Sequence, residues 1–158
     1  MKKQANSRQC FVCGVENIRG LHLSFYETNP GEVCAEVTVP ETYQGYPGVV
    51  HGGIIAAMLD EVSGRVFMGG DPPRFMFTAQ LSVRYRKPVP TGKPLKLVGI
   101  AGKDKGRIVQ ARGELYDSAG TLLAEAETIL AEIQDNAMRS FGMQPEDWMV
   151  YPDQEQKI

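Results

Sequence analysis

The chain is poor in the features that mark membrane spans, secreted scaffolds and the common nucleophilic hydrolases. Its longest wholly apolar run, Ile54 to Leu59, is six residues, whereas a bilayer-spanning helix needs about 20. The Met1-Lys2-Lys3 start leads into polar residues rather than an apolar signal core, so no export signal is expected. There are three cysteines, an odd number, and two of them sit three positions apart. That argues against a disulfide framework and for a reducing, cytoplasmic setting. With only two histidines and no GxSxG, a Ser-His-Asp arrangement has few options, and no phosphate-loop or dinucleotide glycine pattern occurs.

What remains is an ordinary globular composition. At 158 residues with 42% hydrophobic side chains, the chain suits one domain with a real core. The net charge of -2 hides an uneven distribution. Residues 84 to 112 carry nine basic side chains, among them Arg84, Arg86, Lys87, Lys103, Lys105 and Arg107, against one acid, Asp104. Such a segment is either a solvated sheet face or an attractor of polyanions. The interleaved aromatics of a single-strand binding platform are missing, so nucleic acid is not expected as a partner.

The pattern along the chain reads as strands around one helix. Leu21 to Tyr26 and Val33 to Val39 are predicted strands, joined across Asn29-Pro30-Gly31. From Thr78 to Lys87 the residues alternate, with Leu81, Val83 and Tyr85 on one face and Ser82, Arg84 and Arg86 on the other. Leu95 to Ala101 and Ile108 to Tyr116 follow as strands. Thr121 to Ile133 fits a strand or a helical stripe, and strand is preferred after several hairpin-spaced neighbours. The domain is expected to end near residue 135. The acidic tail, 136–158, carries Phe141, Trp148 and Tyr151, which predicts packing on the domain or on a partner subunit.

The stretch PGVVHGGIIAAMLDEVSG, residues 47 to 64, is the most informative. On a helical wheel Ile55, Met58, Leu59, Val62 and Val66 form one apolar stripe, while Ala56, Ala57, Asp60 and Gly64 form a face with little bulk and one carboxylate. A small-residue face suits close approach by another subunit. The amides of a helix's first turn have no intrahelical acceptor and lie at the positive end of its dipole. Gly52 and Gly53 remove the side chains that would keep a carbonyl oxygen away, so these amides can serve as an oxyanion hole; the alternative is a tight turn that needs glycine.

GYPGVVHGGIIAAMLDE, with Asp60 nine positions after His51, resembles the signature of hotdog-fold acyl-CoA thioesterases of the PaaI type, and FTAQLSVRYRKPVPTGKPL and YDSAGTLLAEAETIL resemble that family's strands. The resemblance covers roughly residues 10 to 133. It implies an α+β fold in which an antiparallel sheet wraps a central helix, and homodimers, or dimers of dimers, with active sites at the subunit interface. It implies that Gly52, helped by Gly53, polarises the thioester carbonyl, that His51 orients the turn or substrate, that Asp60 of the partner subunit activates water or attacks, and that Thr78 helps hold the water. Relatives carry an asparagine where this chain has Gly45, and Gln44 is the neighbouring substitute. Some hotdog thioesterases use a glutamate as base at a nearby helical position, which makes Glu61 a second substrate-site candidate, although the register from His51 favours Asp60. The basic residues named above gain a partner in the phosphates of coenzyme A.

Cys10-Phe-Val-Cys13-Gly has the form of half a zinc knuckle, but no second CxxC is present, and Cys34 or His22 would have to complete it by folding. A small buried pair is the preferred reading, with no metal and no cofactor. The expected function is hydrolysis of acyl-CoA to free acid and coenzyme A. The alternative is a non-catalytic acyl-CoA-binding protein on the same fold, because fold alone does not secure activity.

Overall fold

The computed structural model describes residues 1–70 and 73–152, with residues 135, 139 and 145 described by their backbone alone. The last six positions of the expected tail, 153–158, lie outside the described residues. The elements are β1 (Lys2–Lys3), β2 (Asn6–Ser7), β3 (Tyr26–Asn29), β4 (Glu32–Thr38), α1 (Gly52–Arg65), β5 (Met76–Tyr85), β6 (Pro94–Asp104), β7 (Ile108–Asp117), β8 (Leu122–Glu132), α2 (Asp135–Ser140) and β9 (Trp148–Met149). Seven strands form one antiparallel sheet in the order β1-β3-β4-β6-β7-β8-β5, and β2 and β9 pair separately.

Helix α1 packs on the inner face of that sheet, against β4 to β8. The expected stripe is the buried one: Ile55, Met58, Leu59, Val62 and Val66 are all in the core. Burial of each such side chain stabilises the fold by roughly 1.5–3 kcal/mol. The helix lies close because β6 and β7 present it with a cross-strand glycine pair, Gly99 opposite Gly113. A Cβ at Gly113 would fall 2.9 Å from both the Leu59 carbonyl oxygen and Ser63 Oγ, and one at Gly99 would fall 2.9 Å from Val66 Cγ1. Any side chain there would push the helix off the sheet.

The segment 121–133 is strand, as preferred, for its residues pair with both β7 and β5. The first strand is displaced from its expected place: of 21–26 only Tyr26 joins the ladder, and β3 runs from there through Asn29, into the segment expected as the turn. His22 sits at φ 54°, and the amides of Leu21 and Leu23 bond to the carbonyls of Phe11 and Val12 at 2.8 and 2.9 Å. The amides of Leu21 and Leu23 are therefore satisfied by the cysteine-bearing turn, and the Phe25 carbonyl by the Gln4 amide at 2.9 Å, rather than by β4.

Two surfaces on the β5 side of the molecule are left uncovered. Strand β5 ends the sheet with one edge unpaired among the described residues, and Phe77 and Tyr85 on it are each 52% exposed. Gly64, on the small-residue side of α1, has open space around its Cβ position. The tail reaches back onto the body. Trp148 packs edge-on against Phe75 and lies over the Arg65 guanidinium, and β9 pairs with β2. No helix among the described residues is long and apolar enough to cross a membrane.

Candidate active site

His51 is the N-cap of α1: its backbone is extended (φ -61°, ψ 136°) and its Nδ1 accepts the Gly53 amide at 2.9 Å. A ring nitrogen that accepts holds no proton, so in the neutral ring the proton sits on Nε2, which is left to donate. The Gly53 amide is thereby consumed. Among the described residues no acceptor approaches the Gly52 amide, which stands at the positive end of the helix. On its other side, the Gly52 carbonyl accepts a 2.8 Å bond from the Tyr85 hydroxyl. Gly52 is thus the free donor, held between a histidine cap and a tyrosine clamp.

Asp60 lies two turns further along, half-buried, and its Oδ1 accepts a 2.6 Å bond from Thr78 Oγ1. Burial pushes the Asp60 carboxyl above the usual aspartate value, the Thr78 bond pulls it down, and the charge of Glu61 adds a rise. Strand β5 therefore touches α1 at both chemical points, through Tyr85 at the glycine turn and Thr78 at the acid. Thr78 reaches the helix because β5 carries a bulge. Thr78 pairs with Leu130 and Gln80 with Ile129, so Ala79 is an extra residue that reverses the alternation.

Gly52 and Asp60 do not meet within one chain. Eight residues of α-helix separate Gly52 from Asp60, which is about 12 Å along the axis. A carbonyl held at Gly52 is beyond the reach of an Asp60 in the same helix.

The other expected residues disperse. Gln44 Oε1 accepts the Gly48 amide at 3.1 Å and so closes its own loop. A Cβ at Gly45 would lie 3.4 Å from His51 Cα. Glu61 is committed elsewhere: its Oε1 receives Arg65 Nε at 3.0 Å and its Oε2 faces Cys10 Sγ at 3.5 Å. The basic residues fall into two groups. Arg84, Arg86 and Lys87 lie at the Tyr85 end of β5, whereas Lys103, Lys105 and Arg107 ring the β6–β7 hairpin, level with Phe77 through the ladder Phe77–Ala131–Ile108. The seven steps from Phe77 to Arg84, one of them taken up by the bulge, span about 20 Å of strand. Arg86 is paired with Glu125, while no ion pair forms on Arg84, Lys103, Lys105 or Arg107 among the described residues. Tyr85 is the site residue the sequence did not single out; its place on the Leu81–Val83 face was the available signal.

The family model of the thioesterase superfamily matches residues 47–124, a span that includes His51, Gly52, Asp60, Thr78 and Tyr85. Among solved structures, a thioesterase superfamily protein shares 34% identity with a TM-score of 0.72 over 78% of this chain, and this chain spans 63% of that one. A Streptococcus mutans protein solved with acetyl-CoA shares 22% (TM-score 0.65, 75% and 95% of the two chains), and the Escherichia coli PaaI protein shares 12% (TM-score 0.66, 72% and 81%). No curated protein sequence matches. The glycine-capped helix and the antiparallel sheet that wraps it, together with these likenesses, give the chain the hotdog fold of the thioesterase superfamily, whose model it matches over residues 47–124.

Proposed function

We propose that this protein hydrolyses acyl-CoA thioesters, as a homodimer or a dimer of dimers, in a reducing cytoplasm. The observation that carries the reading is the pairing of a free amide at Gly52 with a half-buried, upward-shifted carboxylate at Asp60, too far apart in one chain to act on one substrate. Two copies joined through β5 and the small-residue face of α1 bring Gly52 of one chain to Asp60 of the partner subunit. A two-fold axis then makes two such sites at once. The acetyl-CoA bound to the Streptococcus mutans neighbour supports coenzyme A thioesters as the ligand class.

In this scheme the thioester oxygen is held by the Gly52 amide, and His51 sets that turn. Asp60 of the partner subunit, kept in line by its Thr78, takes a proton from water as the water oxygen bonds to the carbonyl carbon. The negative charge that forms on the thioester oxygen is stabilised at the helix terminus. Collapse breaks the carbon–sulfur bond, and coenzyme A leaves as a thiolate that picks up a proton. A raised carboxyl pKa suits a base better than a leaving group. Arg84 and Lys87 at one end of the sheet and the hairpin cations Lys103, Lys105 and Arg107 at the other are the positive charges that meet the coenzyme phosphates, Arg86 being paired with Glu125. Residues 1–135 carry the chemistry, and the tail from 136 braces the far end of α1.

The test is thiol release from a panel of aliphatic and aromatic acyl-CoAs, with Asp60→Asn as the control. Turnover that falls about 10²–10⁴-fold in a variant with unchanged oligomeric state supports a base at Asp60. Acyl-CoA binding with no turnover in either protein would point to a binding protein instead.

A further inference from the structure

The Cys10–Cys13 turn stands outside this scheme, yet it is built. The Gly14 amide bonds to the Cys10 carbonyl at 2.8 Å and the Val12 amide points at Cys10 Sγ at 3.3 Å. A Cβ at Gly14 would fall 2.7 Å from the Cys10 nitrogen, so only glycine closes the turn. Residues 21 to 23 then bind its carbonyls, and Asn6 Nδ2 holds the Cys13 carbonyl at 2.7 Å. The turn is pinned on three sides.

Both thiols face α1. There Cys10 Sγ, Cys13 Sγ and a Glu61 carboxylate oxygen all lie within 4.8 Å of one another. The geometry points to a site for a thiophilic divalent cation, zinc by preference, held by Cys10, Cys13 and Glu61 with a fourth position for water. In a tetrahedral zinc site sulfur and oxygen ligands stand about 3.5 Å apart and two sulfurs about 3.8 Å. The Cys10 Sγ to Glu61 Oε2 separation is already 3.5 Å. The carboxylate is divided as a ligand should be: Arg65 holds Oε1 and leaves Oε2 to the sulfurs.

Arg65 also settles the charge. Its side chain is 1% exposed, clamped between the rings of Phe25 and Trp148 at 4.5 and 4.9 Å, with Nη1 on the Ala5 carbonyl at 2.6 Å. Two thiolates and a carboxylate carry three negative charges, and a divalent cation with the guanidinium carries three positive ones. A buried set that sums to zero avoids the cost of an uncompensated charge. Cysteine sulfurs with one carboxylate select zinc over magnesium or calcium, which take oxygen ligands alone. Spacing offers only two ligands, because Glu61 lies 48 positions beyond Cys13 on another element, and neither Cys34 nor His22 joins the group.

The test uses the full chain, stripped with chelator, reduced and titrated with Co²⁺. The proposal expects thiolate-to-cobalt charge-transfer and tetrahedral d–d bands that saturate at a single ion per chain and vanish on addition of Zn²⁺. Elemental analysis of the protein as purified from zinc-supplemented cells should find the metal. Cys10→Ser should abolish the charge-transfer band, Glu61→Gln should weaken Co²⁺ binding at least about tenfold, and Cys34→Ser should change nothing. Because the wild-type titration needs no variant, a misfolded Cys10→Ser protein does not blunt it. Reduced wild-type protein that gives no thiolate band, a band that survives Cys10→Ser, or a Cys10–Cys13 disulfide in metal-free protein as purified would overturn the proposal.

Discussion

Thr78 Oγ1 stands 2.6 Å from Asp60 Oδ1, and it is the one bond that holds down a carboxyl otherwise pushed up by burial. The acid limb of kcat/KM should therefore lie above the ordinary aspartate range, and Thr78→Val should move it higher still while Thr78→Ser restores it. The same shift acts on stability. A carboxyl whose folded pKa is raised favours folding below its unfolded pKa, and that contribution is lost as pH rises through the folded value. Asp60→Asn should thus raise Tm at neutral pH, and the gain should fade in acid. A pH–rate profile unmoved by Thr78→Val would contradict this.

Gly52→Ala separates stability from chemistry. The added Cβ would lie 3.5 Å from the Tyr85 hydroxyl, an ordinary contact, and alanine is the better helix former by about 1 kcal/mol. Tm should hold or rise while kcat falls roughly tenfold to a hundredfold, because the methyl group crowds the carbonyl's approach. Equal losses of stability and turnover would make the turn a structural device.

Thr78 and Glu61 show where the sequence was legible and where it was not. Periodicity found α1, its buried stripe and the long strands, because burial of one face leaves a mark at a fixed spacing. A strict two-residue period puts Thr78 with Ser82 and Arg84, facing away from the helix. The bulge at Ala79 reverses that, and one inserted residue has no signature in a single sequence. Glu61 was read with Asp60 because they are adjacent, yet neighbours on a helix point about 100° apart, and Arg65 and Cys10 take the second acid. The six cations read as one cluster because they are close in sequence, whereas strand reversal carries three of them to the other end of the sheet.

That division gives a test of the phosphate contacts. Arg84→Ala and a Lys103→Ala/Lys105→Ala/Arg107→Ala triple variant should each raise KM for acyl-CoA several-fold and flatten its dependence on salt. Hydrolysis of an acyl-pantetheine thioester, which lacks the nucleotide phosphates, should be unaffected. A KM unmoved in both variants across salt concentrations would remove these residues from the substrate's path.

Trp148 should brace the body. Its stacking on Arg65 and Phe75 contributes about 2 kcal/mol, so Trp148→Ala should lower Tm by roughly 4–8 °C. Truncation after Ile133 should do at least as much. A truncated chain with unchanged Tm, dimerisation and kinetics would show that the tail is dispensable.

The most direct test of a shared site is subunit complementation. Asp60→Asn and Gly52→Ala homodimers, each impaired at both sites, are mixed through reversible dissociation and assayed for thiol release. In the mixed dimer Gly52 of the first chain meets Asp60 of the second, which makes one intact site and one doubly defective site. Activity should climb to about a quarter of wild type in a statistical mixture. Confirmed heterodimers with no gain over the parents would mean that the two residues do not act on one substrate across the interface.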